Sequence, residues 1–445
     1  MPHGRSDVPL TRAAAAPRTV YDVTRLVTRA LNPSPNGIDR VDFALARHFL
    51  GNGATPLVCT ALGPRLSDTK KALETIDAVE AYWREAADAD DDAVYHSVVA
   101  ALAREPGAGT NVIRHDRRPG FERVSRNWRA LRDWALHLGR PLNEVPNDAA
   151  YFNATQFLLD RQWYVRWLES RPDVKPVAFI HDLLPVDHPE FFRPVEAALH
   201  PRRNRNIARL AAGVVSASRA VADRFTAFAA ENGRADIPVC VAPLPVSSVF
   251  KRPAAPPEGL LGQNYFIVCG TIEPRKNHML LLNVWRELAK SGPAPKLIVV
   301  GKRGWLNENV VDMMTRCPSL RANVIEARGL STPGLRRLMA GARALLMPSF
   351  GEGFGLPVAE ALAAGVPVIA SDLDVFRELG GDAPDYLHPL DGLGWLQAVR
   401  DYSGQDSRRR ADTLARMKAA SIDRDPESFF DTIDRFTSTI PPRAN

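Results

Sequence analysis

Short apolar runs recur along the second half of the chain, each followed by a loop and usually by apolar positions at helical spacing. These runs predict buried strands at Tyr265–Cys269, Lys296–Val300, Asn323–Ala327, Ala344–Pro348 and Pro367–Ala370. The segment Asn277–Lys290 is the clearest helix, because its apolar residues recur at steps of three and four. Strands that alternate with helices predict a parallel sheet with helices on both faces.

The first half repeats this pattern less regularly. Strands are predicted at Val20–Thr24, Pro56–Thr60, Ala150–Asn153, Val177–Ile180, Gly213–Ser216 and Val239–Ala242. Helices are predicted at Asp39–Phe49, Arg161–Glu169, Pro194–Leu210 and Arg219–Ala230. Residues 64–148 fit the pattern poorly, and we interpret them as a largely helical insertion between two strands of the first sheet.

A proline-rich segment at residues 243–257 separates the halves, as is typical of a linker. We therefore predict an α/β protein of two doubly wound, Rossmann-like domains that face a central cleft. In such sheets ligands bind beyond the carboxyl ends of the strands. The predicted parts are a loose N-terminus at 1–17, an N-terminal domain at 18–248 that includes the insertion, a C-terminal domain at 249–425 and a final helix within 426–445.

Composition indicates where in the cell the protein works, but it says little about its function. The 57 Lys and Arg exceed the 51 Asp and Glu by six, which permits attraction to phosphates without requiring it. Four widely spaced cysteines without a CxxC pair argue against a zinc site or a disulfide framework. No apolar run has the length of a membrane-spanning helix, and the N-terminus lacks the apolar core of a secretory signal. We expect a cytoplasmic protein.

Two arginine-rich stretches bear on whether the protein contacts a membrane. Arg114–Trp134 contains seven arginines and three acidic residues, and the helix predicted at Pro194–Leu210 is also rich in arginine. Both stretches suit peripheral contact with an anionic membrane, and a solvated helix face explains them equally well. No nucleic-acid recognition motif accompanies them, so nucleic acid is not an expected partner.

The first segment that indicates chemistry is Gly270–His278, which reads GTIEPRKNH. It places Arg275 and Lys276 beside a helix start, where unpaired N–H groups already favour anions. A guanidinium can grip two oxygens and an ammonium adds a point charge, so the pair suits a diphosphate. A solvated basic loop is the alternative. The segment lacks P-loop spacing, which argues against a kinase or an ATPase.

The second segment is Pro348–Glu360, which reads PSFGEGFGLPVAE. Pro357 suits the first turn of a helix, and Gly353 and Gly355 allow a ligand to approach the backbone closely. Glu352 in the loop and Glu360 one turn into the helix would contact different parts of one ligand. Ionised carboxylates accept hydrogen bonds, so sugar and ribose hydroxyls are natural partners. The alternative is a flexible glycine loop with two surface glutamates.

His181 follows the strand predicted at Val177–Ile180, so we expect it at the strand's carboxyl end, facing the cleft. An ordinary packed histidine is the alternative. Two Asp-x-Asp sequences, Asp88–Asp90 and Asp372–Asp374, resemble a metal-binding motif. The first lies in an acidic run and the second begins a helix, so no metal site is predicted.

Taken together, these motifs resemble the family 4 glycosyltransferases, which have the GT-B fold. Glu352–Glu360 resembles the family's Glu-x7-Glu motif, and Gly270–Asn277 resembles its diphosphate loop. The resemblance is strong over about residues 262–390, and it is weaker at Asn36–Arg40, Ile180–Asp182 and Val215–Ser218. The stretches Phe179–Glu190 and Glu273–His278 resemble bacterial members that build surface polysaccharides, often from nucleotide-activated mannose.

By position, the resemblance implies that Arg275 and Lys276 bind the donor diphosphate. It implies that Glu352 and His181 contact the transferred sugar, that Glu360 binds the ribose and that Leu330 or its neighbours contact the base. The further donor-binding positions that it implies are Gly37, Gly270, Gly353, Phe354, Gly355 and Leu356. It implies no cofactor and no metal, because the two cations would neutralise the leaving diphosphate. The last helix would cross back onto the first domain.

The resulting hypothesis is a retaining, metal-independent transferase. It would move a hexose, with mannose favoured, from a nucleoside-diphosphate sugar to a glycan or lipid-linked glycan in surface polysaccharide synthesis. The N-terminal domain would hold the acceptor, and the protein would work in the cytoplasm or at the inner face of the membrane. A sugar-nucleotide epimerase or phosphorylase of the same fold and a non-catalytic sugar-nucleotide-binding scaffold are the alternatives.

Overall fold

The computed structural model describes residues 18–29, 37–60, 63–84, 92–103, 112–114, 139–256, 260, 262–419 and 426–441. The strands are β1 (Thr19–Asp22), β2 (Thr55–Thr60), β3 (Gly63–Leu66), β4 (Val112–Arg114), β5 (Ala150–Asn153), β6 (Lys175–Ile180), β7 (Gly213–Ser216), β8 (Val239–Val241), β9 (Tyr265–Cys269), β10 (Lys296–Val300), β11 (Val324–Arg328), β12 (Leu345–Met347), β13 (Val368–Ser371) and β14 (Asp385–Leu387).

The helices alternate with these strands. They are α1 (Thr24–Arg29), α2 (Gly37–Gly51), α3 (Thr69–Arg84), α4 (Ala93–Ala103), α5 (Gln162–Glu169), α6 (Leu184–Asp187), α7 (Pro194–Leu210), α8 (Arg219–Glu231), α9 (Ser248–Lys251), α10 (His278–Leu288), α11 (Glu308–Arg316), α12 (Pro318–Asn323), α13 (Thr332–Gly341), α14 (Leu356–Ala363), α15 (Asp374–Gly380), α16 (Gly392–Ser403), α17 (Arg408–Ala419) and α18 (Pro426–Thr439). Among the described helices, none is both long enough and apolar enough to cross a bilayer.

The described strands form two sheets of seven strands each, in the orders β3-β2-β1-β5-β6-β7-β8 and β14-β13-β12-β9-β10-β11-β4. Within these sheets β3 runs antiparallel to β2, while the other described pairs are parallel. The predicted class, an α/β protein of two doubly wound domains, is confirmed.

Both sheets are buried because their strands are apolar on both faces, as parallel sheets covered by helices require. Successive residues point to opposite faces, so neighbours in one strand enter different core clusters. In β9, for example, Phe266 and Val268 join one cluster, while Ile267 and Cys269 join another. That second cluster also contains Tyr21 and Phe152 of the first sheet, so one apolar core continues from domain to domain.

The predicted strands all form, and the bounds of β5, β7, β9 and β10 are those predicted. The other predicted strands begin or end within one or two residues of expectation. Three described strands, β3, β4 and β14, were not predicted. Each is only three or four residues long, and β3 (Gly63-Pro-Arg-Leu) contains no apolar run.

The assignment of residues 64–148 as a whole to the N-terminal domain is wrong for α4 and β4. Helix α3 packs on α2 in the first domain, whereas β4 pairs with β11 at the edge of the second sheet and α4 packs against β11 and α13. The reason is burial: β4 satisfies the outer edge of β11, and Val94, Val98 and Leu102 of α4 are covered there. Residues 1–17 and most of Arg114–Trp134 lie outside the described residues.

Helix α18 and the residue after it pack on the first domain. His48 of α2 hydrogen-bonds Asp434 at 2.9 Å through Nε2 and stacks on Phe430 with ring centroids 4.4 Å apart. Ile440 lies against Gly213 of β7, where a Cβ would be only 2.0 Å from Ile440 Cδ1. Glycine is therefore needed at position 213 for this close approach.

This contact predicts that Gly213→Ala lowers the free energy of unfolding by about 1–3 kcal/mol, because the added methyl overpacks the contact. Ile440→Val, which removes Cδ1, should restore part of the loss when combined with Gly213→Ala. Urea unfolding monitored by circular dichroism measures both effects. Gly51→Ala is the matched control, since a Cβ there meets nothing within 4 Å. Equal stability of Gly213→Ala and the control would contradict the contact.

Candidate active site

The candidate site begins where two neighbouring strands of the second sheet end. Strands β9 and β12 pair directly, so the loops after them, residues 270–277 and 348–355, lie side by side. Arg275 and Lys276 lie in the first loop, within a one-turn 3-10 helix at Pro274–Lys276. Glu352 lies in the second. The parallel topology therefore brings together charged residues that are far apart in the sequence.

The carboxylate of Glu352 connects the two loops. Its Oε2 accepts a hydrogen bond from Arg275 Nη1 at 2.8 Å, and its Oε1 accepts one from Lys276 Nζ at 2.5 Å. Ser349 Oγ donates a third, to Oε1, at 2.7 Å. Burial raises the pKa of Glu352, but the charges of Lys276 and Arg275 outweigh it and bring that pKa to about 2. The group is an ionised acceptor at neutral pH.

Arg275 is held by two further acceptors in the loops. Its Nη1 also donates to the carbonyl of Gly351 at 2.7 Å, and its Nη2 donates to Glu273 at 2.7 Å. Glu273 is only 3% exposed, and burial raises its pKa while the two cations oppose that rise. Arg275 Nε is buried and has no hydrogen-bond partner among the described residues. Three of the five N–H donors of the guanidinium are thus used, and its Nε–H is left for a ligand.

Lys276 lies against the backbone of Gly270, where a Cβ would be 3.2 Å from Lys276 Cε. Burial lowers the pKa of Lys276, and Glu352 opposes that effect. An ammonium has three donors, and the described residues take up one of them, through Glu352. Two donors therefore remain for a ligand.

Two unusual backbone conformations position the loops. Asn277 has a left-handed φ of 53°, which asparagine tolerates better than most residues, and its Nδ2 donates to the carbonyls of Pro348 at 3.1 Å and Pro389 at 2.9 Å. Gly355, at φ 91°, caps α14, and a Cβ there would lie 2.5 Å from Phe376. Helix α10 begins at His278, one residue later than predicted.

His181 lies directly after β6, as predicted. Its Nε2 is 2.8 Å from the carbonyl of Ala154, which can only accept, so Nε2 carries the proton. Burial lowers the pKa of His181 to about 4, so the ring is neutral at pH 7 and Nδ1 keeps a lone pair. A Cβ on Gly353 would be 2.1 Å from the His181 carbonyl, and Ser218 Oγ donates to the Gly353 carbonyl at 2.9 Å. The glycine loop therefore touches the first domain.

Glu360 lies one turn into α14, as predicted, and is 8% exposed. Burial raises its pKa to about 7, and Arg40 opposes this from 3.9 Å. Gly37, at the start of α2, faces Leu356 across the cleft, with 3.7 Å between a Cβ on Gly37 and Leu356 Cδ1. Glu360 thus lies where the start of α2 meets α14.

The other predicted positions lie around this centre. Phe354 is buried in the core, and Leu330 follows β11, two strands away from β9. Asp372 is paired with Arg377, and Asp88–Asp90 lies outside the described residues. In the part of the chain that is described, no three His, Cys, Asp or Glu side chains come together as a metal site needs.

Sequence reasoning missed several residues of the site. Ser349 and Glu273 lie inside or beside the quoted motifs, and their neighbours Glu352 and Arg275 could have pointed to them. Ser218 ends the weakly resembling stretch Val215–Ser218, and Glu378 carried no such signal. Glu378 of α15 accepts hydrogen bonds from the first backbone N–H groups of α8, with Arg219 N at 2.7 Å, and so connects the two domains.

Parts of the chain are similar to known proteins. Residues 253–385 match the family described as Glycosyl transferases group 1. Over this segment, which is less than half of the chain, the chain is similar to that family. It is 30% identical over 228 residues to the serotype-specific mannosyltransferase WbdA of Escherichia coli, which covers 47% of this chain and 27% of that protein. It is 35% identical over 153 residues to the Escherichia coli O-antigen chain mannosyltransferase B, covering 33% of this chain and 40% of that protein.

The chain thus spans less than half the length of these curated glycosyltransferases. For the fold, the crystal structure of Anabaena Alr3699/HepE in complex with UDP and glucose gives a TM-score of 0.60 at 16% identity, over 95% of this chain and 100% of that one. This likeness shows the fold: the two facing Rossmann-like domains are those of GT-B.

For this site we predict that Glu352→Gln lowers the free energy of unfolding by about 3–5 kcal/mol, because it leaves two buried cations without their shared anion. Thermal and urea unfolding measure the change. Glu287→Gln is the matched control. It breaks an exposed ion pair with Lys290 and should leave stability nearly unchanged. Equal unfolding midpoints for the two variants would show that Glu352 does not hold the loops together.

Proposed function

We propose that the protein is a retaining, metal-independent glycosyltransferase that transfers a hexose from a nucleoside-diphosphate sugar to a glycan or lipid-linked glycan. The observation that carries this proposal is the convergence of Arg275 and Lys276 on one buried carboxylate, with donors left over on both cations. Buried hydrogen-bond donors without partners destabilise the folded protein, and a ligand oxygen would accept hydrogen bonds from them. An anionic ligand with several oxygens fits this arrangement.

The diphosphate assignment follows from the reaction. In hexosyl transfer the bond between the anomeric carbon and the diphosphate breaks, and its electron pair leaves on the diphosphate. The oxygen of the acceptor hydroxyl forms the new bond to the anomeric carbon, and its proton passes to the departing diphosphate. Arg275 Nε and the two remaining donors of Lys276 would stabilise that leaving charge in a site where water is largely excluded. These fixed cations take the part that a metal ion plays in other transferases.

The sugar would lie between Glu352 and His181. A carboxylate has about four lone-pair positions, and three of those on Glu352 are used by Arg275, Lys276 and Ser349. One position on Oε2 is left for a sugar hydroxyl, and Nδ1 of the neutral His181 would accept another. The glycine loop at Gly353 permits the close backbone approach that this pocket requires.

Mannose is favoured as the hexose, because both curated relatives are named as mannosyltransferases. Their names also support an acceptor of the surface-polysaccharide type, an O-antigen chain in one case. The donor base is left open. We further propose that the protein works in the cytoplasm, with peripheral contact to the anionic inner face of the membrane through its arginine-rich stretches.

The proposal predicts that Lys276→Ala and Arg275→Ala each lower kcat by about 10²–10³, the usual loss when one preorganised donor to a developing charge is removed. Steady-state kinetics with a nucleotide sugar and a glycan acceptor measure this. Lys290→Ala, which removes an exposed lysine just beyond the end of α10, should leave kcat unchanged. Near-normal turnover in both site variants would overturn the diphosphate assignment.

The same assay separates the alternatives. An epimerase would convert the sugar nucleotide without any acceptor, and a phosphorylase would require inorganic phosphate. A non-catalytic scaffold would bind the donor and turn over no member of a broad acceptor panel. Product formation that requires the acceptor supports the transferase.

Glu360 predicts a pH dependence of donor binding. If its ionised form accepts the ribose hydroxyls, a pKa of about 7 means that the binding form is mostly lost at pH 6 and mostly present at pH 8. The KM for the nucleotide sugar should therefore fall by up to about tenfold over this range. Glu360→Gln should hold KM near its pH 6 value throughout. An equally steep pH profile in Glu360→Gln would show that another group titrates.

A further inference from the structure

The part of the insertion that joins the second sheet also touches the loop after β11. We call Asp92, α4 and β4 the inserted arm. Its strand β4 extends the sheet beyond β11, with Arg114 in register with Arg328 at the carboxyl end. Its helix α4 packs against α13, the helix that follows that loop. The arm therefore borders residues 329–331 from the outer edge of the sheet.

Asp92 is the point of contact between the arm and the loop, and it is 0% exposed. Its Oδ1 accepts hydrogen bonds from Val94 N at 2.9 Å and Tyr95 N at 3.2 Å, which caps α4. Its Oδ2 accepts a hydrogen bond from Ser331 N at 2.6 Å. One buried carboxylate thus caps its own helix and fixes a backbone N–H of the second domain.

Ser331 fixes the conformation of the loop after β11. Its Oγ accepts from Gly334 N at 3.0 Å and caps α13, so both its backbone and its side chain are fixed. On the other side of Leu330, Gly329 has a left-handed φ of 80°. Leu330 therefore lies between a sharp turn and an anchored residue, which defines where its side chain points.

The position of this loop suits the nucleoside of the donor. The glycine loop at Gly353, which is assigned to the sugar, follows β12, and Arg275 and Lys276, which are assigned to the diphosphate, follow β9. A donor that runs from the sugar through the diphosphate must therefore place its nucleoside toward β10 and β11. Two strand spacings separate β9 from β11, about 10 Å. Leu330 packs on the same core cluster as Leu356 and Ala359 beside Glu360, so it lies over the same face of the sheet as the carboxylate assigned to the ribose.

We propose that Asp92 is a positioning residue for the donor base: by holding Ser331 N, the inserted arm sets Leu330 against the base and thereby contributes to the choice of nucleoside. This inference rests on the proposed function, since it requires a nucleoside-diphosphate donor. It assigns no contact between Asp92 and the ligand. The diphosphate would bind at the loops after β9 and β12. The inserted arm therefore affects binding of the nucleoside and does not affect binding of the phosphates.

Two variants act on this contact from opposite sides. Asp92→Asn can keep the cap on α4 through its amide oxygen but places an NH2 group against Ser331 N. Gly334→Ala keeps the Asp92 side chain, while its Cβ would lie 2.9 Å from Asp92 Oδ2, 3.0 Å from Ser331 Oγ and 3.1 Å from Leu330 Cδ1, so it disturbs the contact from the loop side. Asp68→Asn is the matched control, because Asp68 caps α3 at Lys71 N and touches no part of the second sheet.

Titration calorimetry of the full chain with GDP, UDP, ADP and inorganic pyrophosphate tests the proposal. In both variants the Kd of the preferred nucleoside diphosphate should rise about tenfold, which is roughly the effect of losing one charge-assisted hydrogen bond. The Kd values for GDP, UDP and ADP should become more alike. The Kd of pyrophosphate should stay at the wild-type value, which also shows that the variants are folded. Asp68→Asn should match the wild type with all four ligands.

The outcomes separate this inference from the proposed function. If the wild type binds none of the nucleoside diphosphates, the proposed function fails. If the wild type binds them and both variants bind them equally well, the positioning role of Asp92 is refuted. An equal loss of nucleoside diphosphate and pyrophosphate binding would also refute it, because the arm would then act on the whole domain.

Discussion

The site depends on the buried carboxylate of Glu352. Arg275 and Lys276 are adjacent, and two cations so placed repel each other and lose hydration when they are buried. Glu352 compensates both, and because it belongs to the neighbouring loop it also fixes the distance between the loops after β9 and β12. The pairing of β9 with β12, the left-handed turn at Asn277 and the hydrogen bond from Ser349 are all arranged around that carboxylate.

The two domains meet at the same place. The carbonyl of His181 packs on Gly353, Ser218 donates to the carbonyl of Gly353, and Glu378 caps α8 from the second domain. The loop that carries Glu352 is therefore supported from both sides of the cleft. A change in the angle between the domains would move His181 relative to Glu352 and Arg275, so the proposed sugar pocket is complete only in the arrangement described.

The strands and site residues that the sequence predicted correctly are those with a local signal. Strong apolar runs gave β9 and β10 with their observed bounds, and the charged motifs placed Arg275, Lys276 and Glu352 in loops at the right edge of the sheet. What it could not predict depends on distant partners. Three-residue β4 has no pattern of its own and is a strand only because β11 offers an edge. Likewise, nothing near Glu378 indicates a helix in the other domain whose N–H groups need an acceptor.

The pairing of β4 with β11 has a consequence for how the molecule folds. The second sheet completes its edge with a strand from the first half of the chain, while α18 returns from the second half to the first domain. Neither half contains all of its own core, so a cut at the proline-rich linker would leave an open edge on one piece and bare apolar helix faces on both. The two Rossmann-like units are thus interlaced, and contacts of such long sequence separation form late and slowly. The chain should fold and unfold as one cooperative body.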